Sequence, residues 1–338
     1  MTPEAPPLRD DVHTGADAAP PTRRITSGDL LFLLLLIPIA LHFVRPDWFQ
    51  GAALRAWSTV FVAVCLQALP FLVFGVLLSA AITAFVPASF FERALPSRPN
   101  VAVPVAGAAG AVLPGCECAS VPVAGSLVRR GVAPSAALAF LLSAPAINPV
   151  VVVATVVAFP DEPMMAAGRF IASLLVALIM GWLWSAFGRP SWLRLSSRSP
   201  STADGSRAAT FVGTAQHDFA HAGGFLVVGG LTAATLNVVV PRAWLDTLAG
   251  SVVLSIVVMA LLAVILAICS EADAFVAASL TSFSLTSRLV FLVVGPVVDV
   301  KLIALQSGTF GTRFAVRFAP ATLVVAVGCA LLVGWALL

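Results

Sequence analysis

The sequence predicts an all-α polytopic membrane protein made of two inverted-topology repeats, each carrying a broken or re-entrant helical hairpin. Three observations lead there. Of 338 residues, 59% are hydrophobic and 10% charged, with a mean hydropathy of +1.01, which leaves too little polar surface to coat a soluble globule. Apolar runs recur along the chain, most of them long enough to supply the roughly 20 residues that a helical crossing needs. Finally, two stretches about 150 residues apart are alike: GCECASVPVAGSL from Gly115 and ICSEADAFVAASL from Ile268. Cys116 falls over Cys269, Cys118 over Glu271 and Ser120 over Asp273, while Val123, Ala124, Ser126 and Leu127 recur as Val276, Ala277, Ser279 and Leu280.

Taken in order, residues 1–26 read as a disordered cytoplasmic tail rich in Pro, Asp and Ala. The run 27–44 reads as a first transmembrane helix, because no small-residue cleavage pattern closes it. Further apolar runs cover 55–86, 100–128, 133–159, 164–187, 218–240, 250–283, 286–305 and 314–337. Run 100–128 is interrupted by Pro104, Pro114, Gly115 and Pro122, which predicts a re-entrant pair of half-helices rather than one straight span. Its counterpart, 250–283, is broken by Cys269, Ser270, Glu271 and Asp273.

Charge placement favours that reading. Eighteen of the nineteen basic residues are Arg, and the sequence places them at the ends of apolar runs, with Lys301 inside one. If both broken segments are re-entrant and the N-terminus is inside, thirteen of the eighteen Arg face the cytoplasm, Arg129 and Arg130 among them. The repeat reaches beyond the hairpins. Phe71-Leu-Val-Phe-Gly75 matches Phe225-Leu-Val-Val-Gly229, Val86-Pro87 matches Val240-Pro241, Glu92 falls over Asp246, and Ala144-Pro145-Ala-Ile-Asn148 sits over Gly295-Pro296-Val-Val-Asp299. Three crossings separate the starts of the copies, so the second copy is expected upside down. The repeats are expected at 55–187 and 218–337, joined by a flexible cytoplasmic linker at 188–217 rich in Ser, Arg and Gly. Such inverted repeats place their binding sites near the midplane, where broken helices of the two halves meet.

Ionisable groups at membrane depth are costly and default to a functional reading. Cys116, Cys118 and Cys269 offer soft thiol ligands for Cu(I), Zn or trivalent arsenic species, against a plain packing role. Cys65 and Cys329, alone in apolar helices, read as packing. Glu117, Glu271, Asp273 and Asp299 sit where burial penalises the ionised form, which suits proton coupling or hydrogen-bonded structure. Asp299 and Lys301 point about 200° apart on an unbroken helix, so they pair only if the helix breaks at Pro296. Lys301 then reaches for Glu271 or Asp273, or snorkels to the cytoplasmic face. Ser120 joins the candidate substrate contacts, as does Asn148, which lies between Pro145 and Pro149 and binds substrate or repairs the local backbone. His217 and His221, at i and i+4, read as a hydrogen-bonded helix start rather than a metal pair. Neither a resident metal, a cofactor nor a nucleic-acid partner is expected, and a net charge of +3 is too small to suggest one of the last.

The run GCECASVPVAGSLVRRGVAPSAALAFLLSAPAINPVV, with CSEADAFVAASL and GPVVDVK, resembles the predicted permeases of the ArsP and YraQ type. The resemblance covers about 55–335. It implies a multi-pass permease of the bacterial inner membrane with two related halves, some members of which export trivalent organoarsenicals through membrane-embedded cysteines. Cys116 and Cys118 occupy the family's first cysteine motif, and Cys269 heads the second. The function expected is movement of a small solute or ion by proton-coupled alternating access. A different class is also open: thiol-disulfide electron carriers of the DsbD and CcdA type, in which Cys116 and Cys269 pair across the two halves. The intramembrane carboxylates and Lys301 favour transport, which needs them, over electron transfer, which does not.

Overall fold

A computed structural model describes residues 51–87, 98–112, 116–194, 207–239 and 251–338. The tail, the first span, Pro114, Gly115, Pro241, the Glu92–Asp246 match and the middle of the linker lie outside the described residues. Among the described residues all regular structure is helical. The first set runs α1 (Ala52–Phe85), α2 (Pro99–Ala109), α3 (Glu117–Arg129), α4 (Pro134–Ile147), α5 (Pro149–Ala158) and α6 (Met164–Phe187). A 3-10 turn at Pro190–Trp192 follows. The second set runs α7 (Arg207–Val239), α8 (Val252–Leu266), α9 (Asp273–Ser279), α10 (Leu285–Val294), α11 (Val300–Phe310) and α12 (Thr312–Leu337). Among the described residues each set is thus a long helix, four short ones and a long helix. Among the described residues, four stretches are long and apolar enough to cross a membrane: 54–85, 134–158, 164–187 and 312–337.

Local chemistry accounts for the breaks. Pro99, Pro134 and Pro149 each open a helix at the first position, where the missing N–H is not needed. Asn148, Ser284 and Asp299 cap α5, α10 and α11 by accepting the backbone N–H of Val151, Ser287 and Leu302. Runs 133–159 and 286–305, expected as single spans, are therefore each two helices, interrupted at Asn148 and between Gly295 and Asp299. Runs 100–128 and 250–283 are also broken, as the re-entrant reading requires. Pro104 and Pro122 nevertheless sit inside α2 and α3 without ending them. Helix α7 begins at Arg207, inside the segment read as linker, so His217 and His221 lie within a long helix and not at its start.

Helices α1 and α7 pack side by side and run antiparallel: Trp57 Nε1 donates to Thr235 Oγ1 at 3.0 Å, and Ser79 Oγ to Asp218 Oδ2 at 3.0 Å. Their counterparts α6 and α12 do likewise, with Gly168 near Val333 at one end and Trp184 against Phe314 at the other. Between these pairs lie the short helices. From Ser135 to Ile147 every residue of α4 is buried, as are Leu289 to Val294 of α10. The outer faces carry exposed Leu66, Phe74, Val316, Val324 and Trp335. Such a belt is a liability in water and the ordinary covering of a protein in lipid. At the end where α6 meets α12, Arg189 and Arg317 lie over the Trp192 ring, an arrangement suited to the membrane–water boundary.

Candidate functional site

Two reciprocal crossings join the sets: α3 of the first packs on α11 of the second, and α9 of the second on α5 of the first. Each is spanned by a buried ion pair. At the α3–α11 crossing, Lys301 Nζ lies 2.5 Å from Glu117 Oε1, and both side chains are 1% exposed. The approach is an ion contact off the hydrogen-bond direction. The same ammonium is 3.9 Å from Asp299 Oδ2 and donates to the Ala267 carbonyl at 3.4 Å. Ala267 ends α8 in the left-handed region at φ 49°, unusual for a residue with a Cβ and costing roughly 1 kcal/mol. That turn aims its carbonyl inward. Ser270 Oγ donates to Glu117 Oε2 at 3.4 Å.

At the α5–α9 crossing the cation is Arg169 of α6, 1% exposed. One Nη donates to Asp273 Oδ2 at 2.8 Å and to the Ser270 carbonyl at 3.0 Å; the other donates to Thr155 Oγ1 at 2.9 Å. A guanidinium serves three acceptors in different directions, which an ammonium on a single stem does less well. Ser270 touches both pairs, through its hydroxyl to Glu117 and its carbonyl to Arg169, so a continuous polar line runs Asp299–Lys301–Glu117–Ser270–Arg169–Asp273. Removing such charges from water costs several kcal/mol per ion, so the line is poor evidence of stability and good evidence of use.

The thiols gather at the same place. Cys116 lies near both Cys118 and Cys269, and Lys301 is close to Cys118 and Cys269. All three are buried, and none is joined in a disulfide. In the alignment of the two motifs Cys116 falls over Cys269 and Glu117 over Ser270, and Ser270 Oγ donates to Glu117 Oε2. Among the described residues no group of three or more His, Cys, Asp and Glu side chains is arranged to hold a metal ion.

Other expected site residues fall differently. Ser120 is buried, but its hydroxyl bonds the Glu117 carbonyl within α3. Asn148 accepts from Val151 N at 3.0 Å and donates to the Ala144 carbonyl at 3.1 Å, joining α4 to α5. Glu271 is half-buried and outside both ion pairs. Lys301 neither snorkels nor reaches Glu271 or Asp273; its partner is Glu117, because α11 crosses α3 rather than α9. The helix does break around Pro296, which lets Asp299 and Lys301 approach. His221 bonds the Gly308 carbonyl at 2.8 Å and His217 lies 3.6 Å from Asp218.

Arg169 is the residue that sequence reasoning missed. It was grouped with arginines at the ends of apolar runs, yet it lies inside α6 on the buried face with Met165, Ala172 and Ser173. A signal was present: small or apolar residues three and four positions to either side place it on the inward stripe.

These features define a multi-pass membrane transport protein. Residues 53–335 match the ArsP_1 family model, described as a predicted permease, and the chain belongs to that family. It is 33% identical over 283 residues to UPF0718 protein YcgR of Bacillus subtilis (strain 168), covering 82% of this chain and 96% of that protein. It is also 28% identical over 282 residues to a Streptococcus mutans protein named "Putative two-component membrane permease complex subunit", covering 81% of this chain and 94% of that one. No solved structure matches the chain.

Proposed function

We propose that the chain is an inner-membrane permease that moves a small thiophilic solute, a metalloid or soft metal species, by proton-coupled alternating access. The observation that carries this is the meeting of Cys116, Cys118 and Cys269, from both halves, beside a buried ion pair. Soft thiols hold a soft solute, and carboxylates at membrane depth take up and release protons. The antiparallel run of α1 beside α7 and of α6 beside α12 supports the inverted arrangement of the halves. The Streptococcus relative's name makes a second membrane subunit a natural partner to seek by co-purification.

The central test is transport or resistance across a panel of metals and metalloids. Cys116→Ser and Cys269→Ser should each abolish it, while Cys65→Ser and Cys329→Ser leave it intact. Full activity in the triple variant lacking Cys116, Cys118 and Cys269 would reduce the thiols to packing. Topology is checked in a Cys-free background: a single Cys beside Arg130 should label from the cytoplasm, and one beside Arg288 from outside. Coupling is checked in vesicles, where Asp273→Asn should stop proton-driven accumulation while solute exchange continues.

Contact between Cys116 and Cys269 also favours a second reading, an inverted-repeat thiol-disulfide electron carrier. Formation of that disulfide by the purified protein, with electrons passed to a soluble dithiol protein and no solute movement, would select it.

A further inference from the structure

We propose that Lys301 is a tethered cation, seated in a cation site at the α3–α11 crossing, and that it alternates between Glu117 of the first half and Asp299 of its own helix. Its surroundings are those of a bound cation: two carboxylates and a main-chain carbonyl, at 2.5 Å (Glu117), 3.9 Å (Asp299) and 3.4 Å (Ala267). Oxygen sets of this kind hold hard cations, and here the cation arrives on a side chain.

Two carboxylates compete for the one ammonium. Among the described residues, the acids no more than 2% exposed are Glu117, Asp273 and Asp299, and the bases facing them are Arg169 and Lys301. Arg169 matches Asp273, so Glu117 and Asp299 share one ammonium. Asp299 Oδ1 is used in capping α11, whereas Oδ2 has no hydrogen-bond partner although it is buried and faces Lys301. Glu117 Oε1 likewise accepts no hydrogen bond, so two buried carboxylate oxygens, one from each side, face the same ammonium and either can take it. The move is short: a rotation of the four-carbon stem exchanges the 2.5 Å partner for the 3.9 Å one. The backbone need not follow, because Gly229 of α7 presses on the Lys301 Cα and fixes α11 there; a Cβ on Gly229 would lie 2.8 Å from that atom.

When the ammonium sits on Asp299, Glu117 has no counter-charge, and a positive group can replace the ammonium beside Glu117, Ser270, Cys118 and Cys269. The site therefore takes a cationic or neutral thiophile, or a proton, and disfavours an anion. The inference rests on the transport reading only in treating the crossing as a moving part.

The test needs no solute. Full-length protein in lipid nanodiscs, carrying Cys65→Ser and Cys329→Ser, leaves Cys116, Cys118 and Cys269 as the titratable thiols, and their alkylation by N-ethylmaleimide is followed by mass spectrometry. Glu117→Gln sends Lys301 to Asp299, releases the crossing and speeds alkylation by about tenfold. Asp299→Asn removes the alternative partner, holds Lys301 on Glu117 and slows alkylation below the parent. Loss of negative charge alone would move both rates in one direction, so the opposite signs are diagnostic. Equal directions, or no change in either variant, overturn the proposal. Should Glu117→Gln fail to fold, Glu117→Asp, shorter by one methylene, must speed alkylation by the same logic. A failed sign pattern with thiol-dependent transport intact overturns this inference alone; an intact pattern without transport overturns the permease reading alone.

Discussion

The α3–α11 crossing and the α5–α9 crossing are each spanned by one buried ion pair between the halves, yet they are enclosed differently. Long helices α1 and α7 both pack on the first. Gly75 of α1 lies where a Cβ would overlap the backbone of Ala119, two residues from Glu117, and Gly229, its repeat equivalent, lies against Lys301. Further along, Ser79, Arg129 and Asp218 tie α1, α3 and α7 together, with Arg129 3.5 Å from Asp218. The α5–α9 crossing is backed by α4, α6 and α10 instead, and exposes Val150, Val153, Val157 and Phe275. One crossing is clamped by protein on both sides; the other faces outward among the described residues. The cations match the enclosure: Lys301, with one flexible stem and two carboxylates in reach, sits in the clamped crossing, while Arg169, held by three acceptors, fixes the open one.

The comparison can be broken most forcefully at Arg169. Arg169→Ala leaves Asp273 buried without its partner and should cost about 3–5 kcal/mol, seen as loss of monodisperse protein or a large fall in thermal stability. Arg169→Lys should recover little, since the Ser270 and Thr155 contacts need the fork. The double variant Arg169→Met with Asp273→Leu should recover most of the stability but none of the transport. An Arg169→Ala protein as stable as the parent would remove Arg169 from this scheme.

The clamp is tested next. Gly75→Val and Gly229→Val each force α1 or α7 away from the α3–α11 crossing, for about 1–3 kcal/mol of destabilisation. Both should also speed alkylation of Cys116 and Cys118. Unchanged thiol reactivity would mean that the two helices merely cover the crossing. Smallest is the tie at the end of the clamp: Asp218→Asn weakens its bonds to Ser79 and Arg129 and should cost about 1 kcal/mol by chemical denaturation.

The sequence by itself determined the class. Composition required a membrane, and the likeness of the two motifs set Cys116 against Cys269, which the structure places near one another. Proline alone did not mark the breaks, since Pro104 and Pro122 sit inside helices, and runs 133–159 and 286–305 each held two helices behind unbroken hydropathy because Asn148 and Asp299 cap a helix without lowering the apolar average. Partners were decided only by the tertiary structure. Lys301 meets Glu117 and Arg169 meets Asp273 because α11 crosses α3 and α5 lies beside α9, and neither crossing leaves a trace in local sequence. Arg169 looked like one more arginine near the end of a span. What makes it a site residue is the stripe of α6 turned inward and the carboxylate that another half of the chain, about a hundred residues on, brings to it. Local pattern fixes which residues are buried; only packing fixes which charges are buried together.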